Sequence, residues 1–365
     1  MTAIVFLVLL LGAVPISIVL IMTSAWYVRA SGNDVLFTSF AQQLFSGIES
    51  YGLLAIPLFM LTGELMNEGG ATRRLVHAAR VFVGGFRGGL AYINLLANMF
   101  MAAIIGSAVS QIAVMSRAMV PVMEAEGYRK DFATATTAAG GLLAPIIPPS
   151  MLLVIYGVLA QLPISDLFIA AIIPGLMLTG SFFVVVALIG LKQQFPKGEW
   201  MTPGAAGRAL LAAVPAAMIP AVIVGSILFG IATPTESAAI ASVIALLIGA
   251  LIYRDLNWSR FLTMFLRVAA SSSMVIFLIA AANVFGWVVI YEALPQRLTA
   301  MLVELTRNPL VFLLIVMGVL FLVGMVIDGI AALILVVPLL LPVAAGVGGG
   351  SADAGALLRA VRRAN

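Results

Sequence analysis

Apolar runs of about 17 to 25 residues recur along nearly the whole chain, and that is the length a helix needs to cross roughly 30 Å of hydrocarbon. In lipid every backbone N–H and C=O must find its partner within the protein, so only helices and closed barrels span. A barrel would show short alternating segments, which this sequence lacks. The expected fold is therefore an all-α polytopic membrane protein in a lipid bilayer. Composition agrees, with 63% hydrophobic residues, 9% charged residues and a mean hydropathy of +1.17 over 365 residues. The first run, "AIVFLVLLLGAVPISIVLIM", has no basic leader or small-residue cleavage site and reads as a retained helix. There is no cysteine, which excludes disulfides and thiolate metal sites. The net charge of +4 comes from loop lysines and arginines and implies no nucleic-acid partner.

Those loop charges orient the chain, because Lys and Arg collect in short loops on the cytoplasmic side. Arg73, Arg74, Arg80 and Arg87 form the densest cluster. The segment Ala71 to Phe86 reads as an amphipathic interfacial helix with Leu75, Val76 and Val83 facing lipid or protein. His77, the one histidine, reads there as a solvated bystander. The N-terminus, Lys192 to Lys197 and Arg254 to Arg260 then lie inside, and Ser31 to Ser50 and Ile231 to Glu236 outside.

Two segments do not fit simple crossings. Gly88 to Met123 holds about 36 residues, too many for one span and too few for two of ~20 residues each. Split at "GSAVS", Gly106 to Ser110, it gives arms of about 16 and 13 residues that reach only partway across. That is the pattern of a re-entrant hairpin whose tip must be surrounded by protein or a wet cavity. The stretch "APIIPPS" carries Pro145, Pro148 and Pro149 inside an otherwise apolar crossing. Proline removes a donor and clashes with the preceding turn, so two half-helices are expected. Unwound carbonyls there suit a small cation, and the second half-helix start near Ser150 suits an anionic group.

An internal repeat strengthens this reading. "GSAVSQIAVMSRAMVP" (Gly106 to Pro121) has a counterpart in "GMVIDGIAALILVVP" (Gly324 to Pro338), each a glycine, then Ser110 or Asp328 four residues on, then an apolar run closed by proline. Amphipathic segments precede both copies, and the loop count makes the second hairpin enter from the opposite side. Inverted repeats with broken helices are the plan of secondary transporters with a midplane site. Asp328, a carboxylate at membrane depth, is expected to face a cavity, an ion or a partner, or to cap a shallow helix. Glu64 reads as structural near a helix end. Thr233, Pro234 and Glu236 fit the N-cap, N1 and N3 positions of a capping box.

Together with "GGLLAPIIPPSMLLVIYG" and "GSAVS", the stretches "LLAIPLFMLTGELMNEGG", "GSILFGIATPTESAA" and "AAANVFGWVV" closely resemble the large membrane subunit of tripartite ATP-independent periplasmic (TRAP) transporters, over about residues 1 to 347. The resemblance implies an elevator-type, sodium-coupled importer of organic acids in the bacterial inner membrane. It implies two partners, a small membrane subunit and a periplasmic solute-binding protein, with dicarboxylates, sugar acids or sialic acid as the substrate class. By it, Gly106, Ser107 and Ser110 with Pro145, Pro148, Pro149 and Ser150 line one sodium site and part of the substrate path. Gly324 and Asp328 belong to a second. Gln111 stands where an acidic residue often follows the tip. The implied organisation is scaffold helices over 1–70, the amphipathic helix over 71–87, the first hairpin and broken helix over 88–163, and connecting helices over 164–291. A second amphipathic segment over 292–308, the second hairpin over 309–347 and a tail over 348–365 follow.

Relatives would continue past Val347 with a second proline break, whereas this sequence turns to "GGGSADAGALLRAVRRAN". The expectation is a truncated or frame-shifted product lacking half of the second ion site, which inserts but does not support sodium-driven uptake. A divergent but functional short form is the alternative to truncation, and because hairpins and broken helices also build pores, a passive pore and an inactive permease fragment stand beside the transporter reading. No G-x-x-x-x-G-K-[ST] loop exists for an ATP-driven pump, and no nucleophile or metal cluster for an enzyme.

Overall fold

The computed structural model describes residues 2–32, 35–193, 195–196, 198, 200–293, 296–297, 300, 309–325 and 327–347. Among them no strand occurs, and every regular element is a helix. The helices are α1 (Thr2–Leu11), α2 (Ile16–Ala30), α3 (Leu36–Ser46), α4 (Ala55–Glu68), α5 (Ala71–Val83), α6 (Gly89–Ile105), α7 (Ala108–Ala125) and α8 (Lys130–Gly141). They continue with α9 (Met151–Leu159), α10 (Ile164–Lys192), α11 (Pro203–Leu228), α12 (Pro234–Leu247), α13 (Trp258–Tyr291), α14 (Pro309–Gly324) and α15 (Gly329–Val347). Four described stretches are long and apolar enough to cross a membrane: α10, α11, Pro234–Ile252 and Phe261–Tyr291. A fifth candidate, by length and composition, is α3 taken together with Tyr51–Glu68.

The chain forms two compact units, one of Met1–Leu53, Ile155–Leu162 and Ala270–Asn365, the other of Leu54–Val154 and Pro163–Ala269. In the second, α4 and α12 pack face to face through small residues. Thr62 Oγ1 lies 2.7 Å from Ser242 Oγ, and the Ser242 hydroxyl reaches the carbonyls of Leu58 (3.0 Å) and Ala238 (2.9 Å). A Cβ on Gly69 would stand 3.0 Å from the Gly249 Cα, so the two backbones touch there. Hydroxyls shared across helices in this way satisfy themselves without water, as membrane interiors require. The capping box at the start of α12 is present, with Thr233 and Glu236 bonded reciprocally. By contrast α10 leaves Ile169, Ile173, Met177, Val184 and Leu188 exposed, an apolar face suited to lipid.

Helix α5 turns its apolar side to protein. Leu75, Ala78, Ala79 and Val83 are buried in the same core as Ile219 and Ile223 of α11. Its polar side is anchored by Arg74, 2.6 Å from Asp255 and 3.8 Å above the Tyr253 ring, with Arg73 3.1 Å from the same carboxylate. His77 is exposed. After α5 the chain is held by close backbone approaches: Gly198 admits no Cβ against the Gly84 carbonyl, Gly85 lies under the Trp200 ring, and the Gly88 N–H donates to Pro196 O at 3.0 Å.

In the first unit, Asn283 of α13 donates to the Gln43 carbonyl at 2.6 Å and lies 3.1 Å from Ser46 Oγ, closing the end of α3. Tyr27 of α2 donates to Glu292, and Phe6 of α1 meets Phe285 with ring centroids 6.1 Å apart. Of the second amphipathic segment, 294–295, 298–299 and 301–308 lie outside the described residues. The tail from 348 onward lies outside them too.

Candidate functional site

The first hairpin breaks over a shorter stretch than its sequence suggests. Only Gly106 and Ser107 interrupt the helices, so the arms are α6 with 17 residues and α7 with 18, against an expected 16 and 13. The reason is local. Gly106 takes the left-handed conformation (φ 62°), Ser107 is extended, and the Ser107 carbonyl already accepts the Gln111 N–H at 3.0 Å, so α7 begins at Ala108. Ser110 thus lies in the first turn of α7 and is exposed, whereas Gly106 is buried and Ser107 half-buried.

The proline break faces this tip. Helix α8 stops at Gly141, but the chain tightens before it opens: the N–H groups of Leu142, Leu143, Ala144 and Ile146 each bond three residues back. Residues 142–146 form turns and 147–149 bends, and the Pro148–Pro149 peptide is cis. Ser150 is 1% exposed, and its hydroxyl donates to the Pro145 carbonyl at 2.7 Å, answering one of the acceptors that proline leaves over. Pro148 and Pro149 are buried, Pro145 half-buried. A Cβ on Gly106 would lie 3.2 Å from the Met151 nitrogen, so the tip rests on the start of α9. Between them is a cavity of about 20 Å³ lined by Gly106, Pro149, Met151, Thr62, Phe59 and Ala103, room for one water-sized species. Among the described residues no three of His, Cys, Asp and Glu come together, so a cation at this junction would be held by carbonyl and hydroxyl oxygens.

Beneath the tip lies a buried polar chain that the sequence reading missed. Gln111 is fully buried, and its Nε2 donates to the Asn98 carbonyl (2.8 Å) and the Asn98 Oδ1 (2.9 Å), with Gly140 O at 3.5 Å. The Asn98 amide donates to Asn94 Oδ1 at 2.9 Å, and Asn94 to Thr137 Oγ1 at 2.7 Å. Thr137 in turn donates to Ala133 O at 2.8 Å. Two asparagines four apart in "INLLANMFMAA" share one helix face, and that was the available signal. The hairpin base is closed by Tyr128, buried with Ala91, Leu95 and Met123, its ring centroid 5.4 Å from that of Phe195. Burial pushes the Tyr128 phenol up to about 12, so it stays neutral there.

Gly324 and Asp328 belong to the other compact unit. Asp328 is exposed and sits immediately before α15, its carboxylate accepting the Ile330 N–H at 3.1 Å, the geometry of an N-cap. Gly324 ends α14 with open space beside it. Glu64 lies one turn before the end of α4, and with Glu68 it faces Arg267, whose Nη1 is 3.6 Å from Glu64 and 4.0 Å from Glu68.

Residues 3–356 match the family of the DctM component of tripartite ATP-independent periplasmic transporters. The chain is 33% identical to the 2,3-diketo-L-gulonate TRAP transporter large permease protein YiaN of Escherichia coli, over 94% of this chain and 81% of that protein. It is 35% identical to the sialic acid TRAP transporter large permease protein SiaM of Vibrio cholerae, over 93% and 79%. It is 34% identical to the C4-dicarboxylate TRAP transporter large permease protein DctM of Pseudomonas aeruginosa, over 85% and 73%. Among solved structures, the Alcanivorax borkumensis YdaH transporter superposes with a TM-score of 0.56 at 15% identity, over 93% of this chain and 82% of that one, a likeness of fold.

Proposed function

The chain belongs to the DctM family of TRAP transporter large permeases, and on that premise we propose that it is the permease subunit of a sodium-coupled, binding-protein-dependent importer of organic acids in the bacterial inner membrane. A small membrane subunit and a periplasmic solute-binding protein complete the system, and the fused permease named DctMQ among its relatives is in keeping with such a subunit. The relatives named above carry a diketo sugar acid, sialic acid or a C4-dicarboxylate, all carboxylates, which supports the substrate class.

The observation that carries the reading is the seat of the Gly106–Ser107 tip on the proline break. Opposed helix ends and irregular backbone at membrane depth are tolerated where they line a solute or ion path. In this reading Gly106, Ser110, Pro145 and Ser150 hold the first sodium ion through carbonyl and hydroxyl oxygens. Ser107, Pro148 and Pro149 shape the substrate path beside it. Gly324 and Asp328 contribute to the second ion site, and the hairpins move with their load in an elevator-like step. The test is counterflow in vesicles containing the chain with its small subunit and binding protein. Saturation in both sodium and substrate would carry the permease reading and set aside the expectation of a product that inserts without sodium-driven uptake; in that case Ser150→Leu or Ser110→Leu should raise the sodium concentration needed for half-maximal uptake several-fold. Flux that rises linearly with substrate and shows no counterflow would instead identify a passive pore.

A further inference from the structure

The buried chain at the hairpin root has a direction. Each donor points the same way, from Gln111 Nε2 to Asn98, from Asn98 Nδ2 to Asn94, from Asn94 Nδ2 to Thr137, and from the Thr137 hydroxyl to Ala133 O. Side-chain amides can flip, but the two ends of this chain cannot. Its head is set by the backbone carbonyls of Asn98 and Gly140, and its tail by the carbonyl of Ala133, all acceptors only. Such a chain closes only if residue 111 donates. Gln111 does so with Nε2, while its Oε1, also buried, has no donor to lose among the described residues.

We propose that Gln111 is the positioning residue of the hairpin tip: as an obligatory neutral donor it locks α6, α7 and α8 into one body without a proton or an ion. One helical turn links it to the tip, since its own N–H bonds the Ser107 carbonyl. Gly140 is part of the same fit, because a Cβ there would stand 2.7 Å from the Asn98 amide. A carboxylate of nearly the same shape would bring acceptor against acceptor in a dry site. It could enter only by carrying a proton, which restores one donor. The groups of α6 and α8 around Gln111 are Asn94, Asn98, Thr137 and the Gly140 carbonyl, none of which titrates. The charged groups of α7 and α8 are directed elsewhere: Arg117 is exposed and bonds its own helix at Ala113 O, Glu124 and Lys130 lie 3.8 Å apart at the helix ends, and Asp131 pairs with Arg129. Tyr92 of α6 packs on Phe183.

The proposal concerns the fold of the hairpin and is measured without transport, so it stands or falls separately from the organic-acid reading. Thermal unfolding of the purified full chain is followed from pH 5 to pH 8.5 for the native protein, Gln111→Glu and Gln111→Met, with hydrogen exchange of residues 94–111 alongside. Gln111→Met should unfold about 3–6 °C lower at every pH, having lost the donor outright. Gln111→Glu should match that loss at pH 8 and recover as the pH falls. Its carboxyl is raised in the folded state, so the stabilising protonated form is present at low pH and lost as pH rises through that value. A glutamate variant as stable as the native protein at pH 8, or one that runs parallel to the methionine variant across the range, would overturn the proposal. Should the glutamate variant not accumulate, native protection of residues 94–111 in Gln111→Met alone would overturn it.

Discussion

The two helix–break–helix pairs of this chain share a motif and differ in what answers their broken backbone. In the first, α6 and α7 meet at a buried left-handed glycine that rests on the start of α9, above the Gln111 chain. In the second, α14 ends at Gly324 and α15 starts at Gly329, and the start of α15 is answered from within by the Asp328 carboxylate on the Ile330 N–H. Spacing alone equates Ser110 with Asp328, each four residues after its glycine. By local structure the equivalent of Asp328 is Ser107, the residue before its helix, and Ser107 makes no side-chain capping bond. A repeat in sequence therefore fixes where helices break and not which side chain completes them.

The largest expected effect separates the two glycines. Gly106→Val forces a β-branched residue into positive φ against the Met151 backbone, at a cost of roughly 2–3 kcal/mol. Gly324→Val, at a helix end with open space, should stay within about 0.5 kcal/mol by denaturant or thermal unfolding. Comparable losses at the two positions would erase the distinction drawn between the breaks.

Capping should divide them in the opposite sense. Asp328→Ala removes a side-chain bond to the first turn of α15 and should cost about 1 kcal/mol, whereas Ser107→Ala should leave stability nearly unchanged. Hydrogen exchange in the first turns of α7 and α15 reads this directly. Faster exchange at α7 in Ser107→Ala would show that the first break also depends on a cap.

The smallest effect is a titration. The shell around Gln111 has no titratable group, but the rim of the same unit has one in Asp255, whose carboxyl the Arg74 guanidinium holds below the usual carboxylate range. A depressed carboxyl contributes stability above its unfolded value and loses it as pH falls through the folded one. Acid unfolding of the native protein should therefore be steeper than that of Asp255→Asn. The difference should be below about 1 kcal/mol, because the pair is partly solvated. An acid-induced loss of protection at residues 94–111 that persists in Asp255→Asn would place a proton inside the hairpin and blur the contrast between core and rim.

What could be read beforehand followed from local chemistry. Pro145, Pro148 and Pro149 removed donors and announced the break; Gly106 announced a tip; Thr233 and Glu236, three residues apart, announced their capping box. The second arm is longer than composition suggests, because "AVS" looks like a loop yet is acceptable in a first helical turn. Partnerships across the chain stayed hidden. Gln111 with Asn98, Arg74 with Asp255 (181 residues apart) and Asn283 with Gln43 (240 apart) depend on how helices meet, which no local pattern encodes. The side of α5 that faces protein was legible as a stripe, but not what it faces.

Tyr128 sets an order of events during biosynthesis. Ala91 and Leu95 of α6 are buried in one cluster with Tyr128, which belongs to the turn after α7. The Asn98 oxygens lack their Gln111 donor until α7 has emerged, and the base of α6 lacks its packing until the chain beyond Tyr128 has been released. Lipid is a poor place for such a half-made element. The two arms are thus a single cargo for the insertion machinery, delivered together once the turn that closes them has emerged.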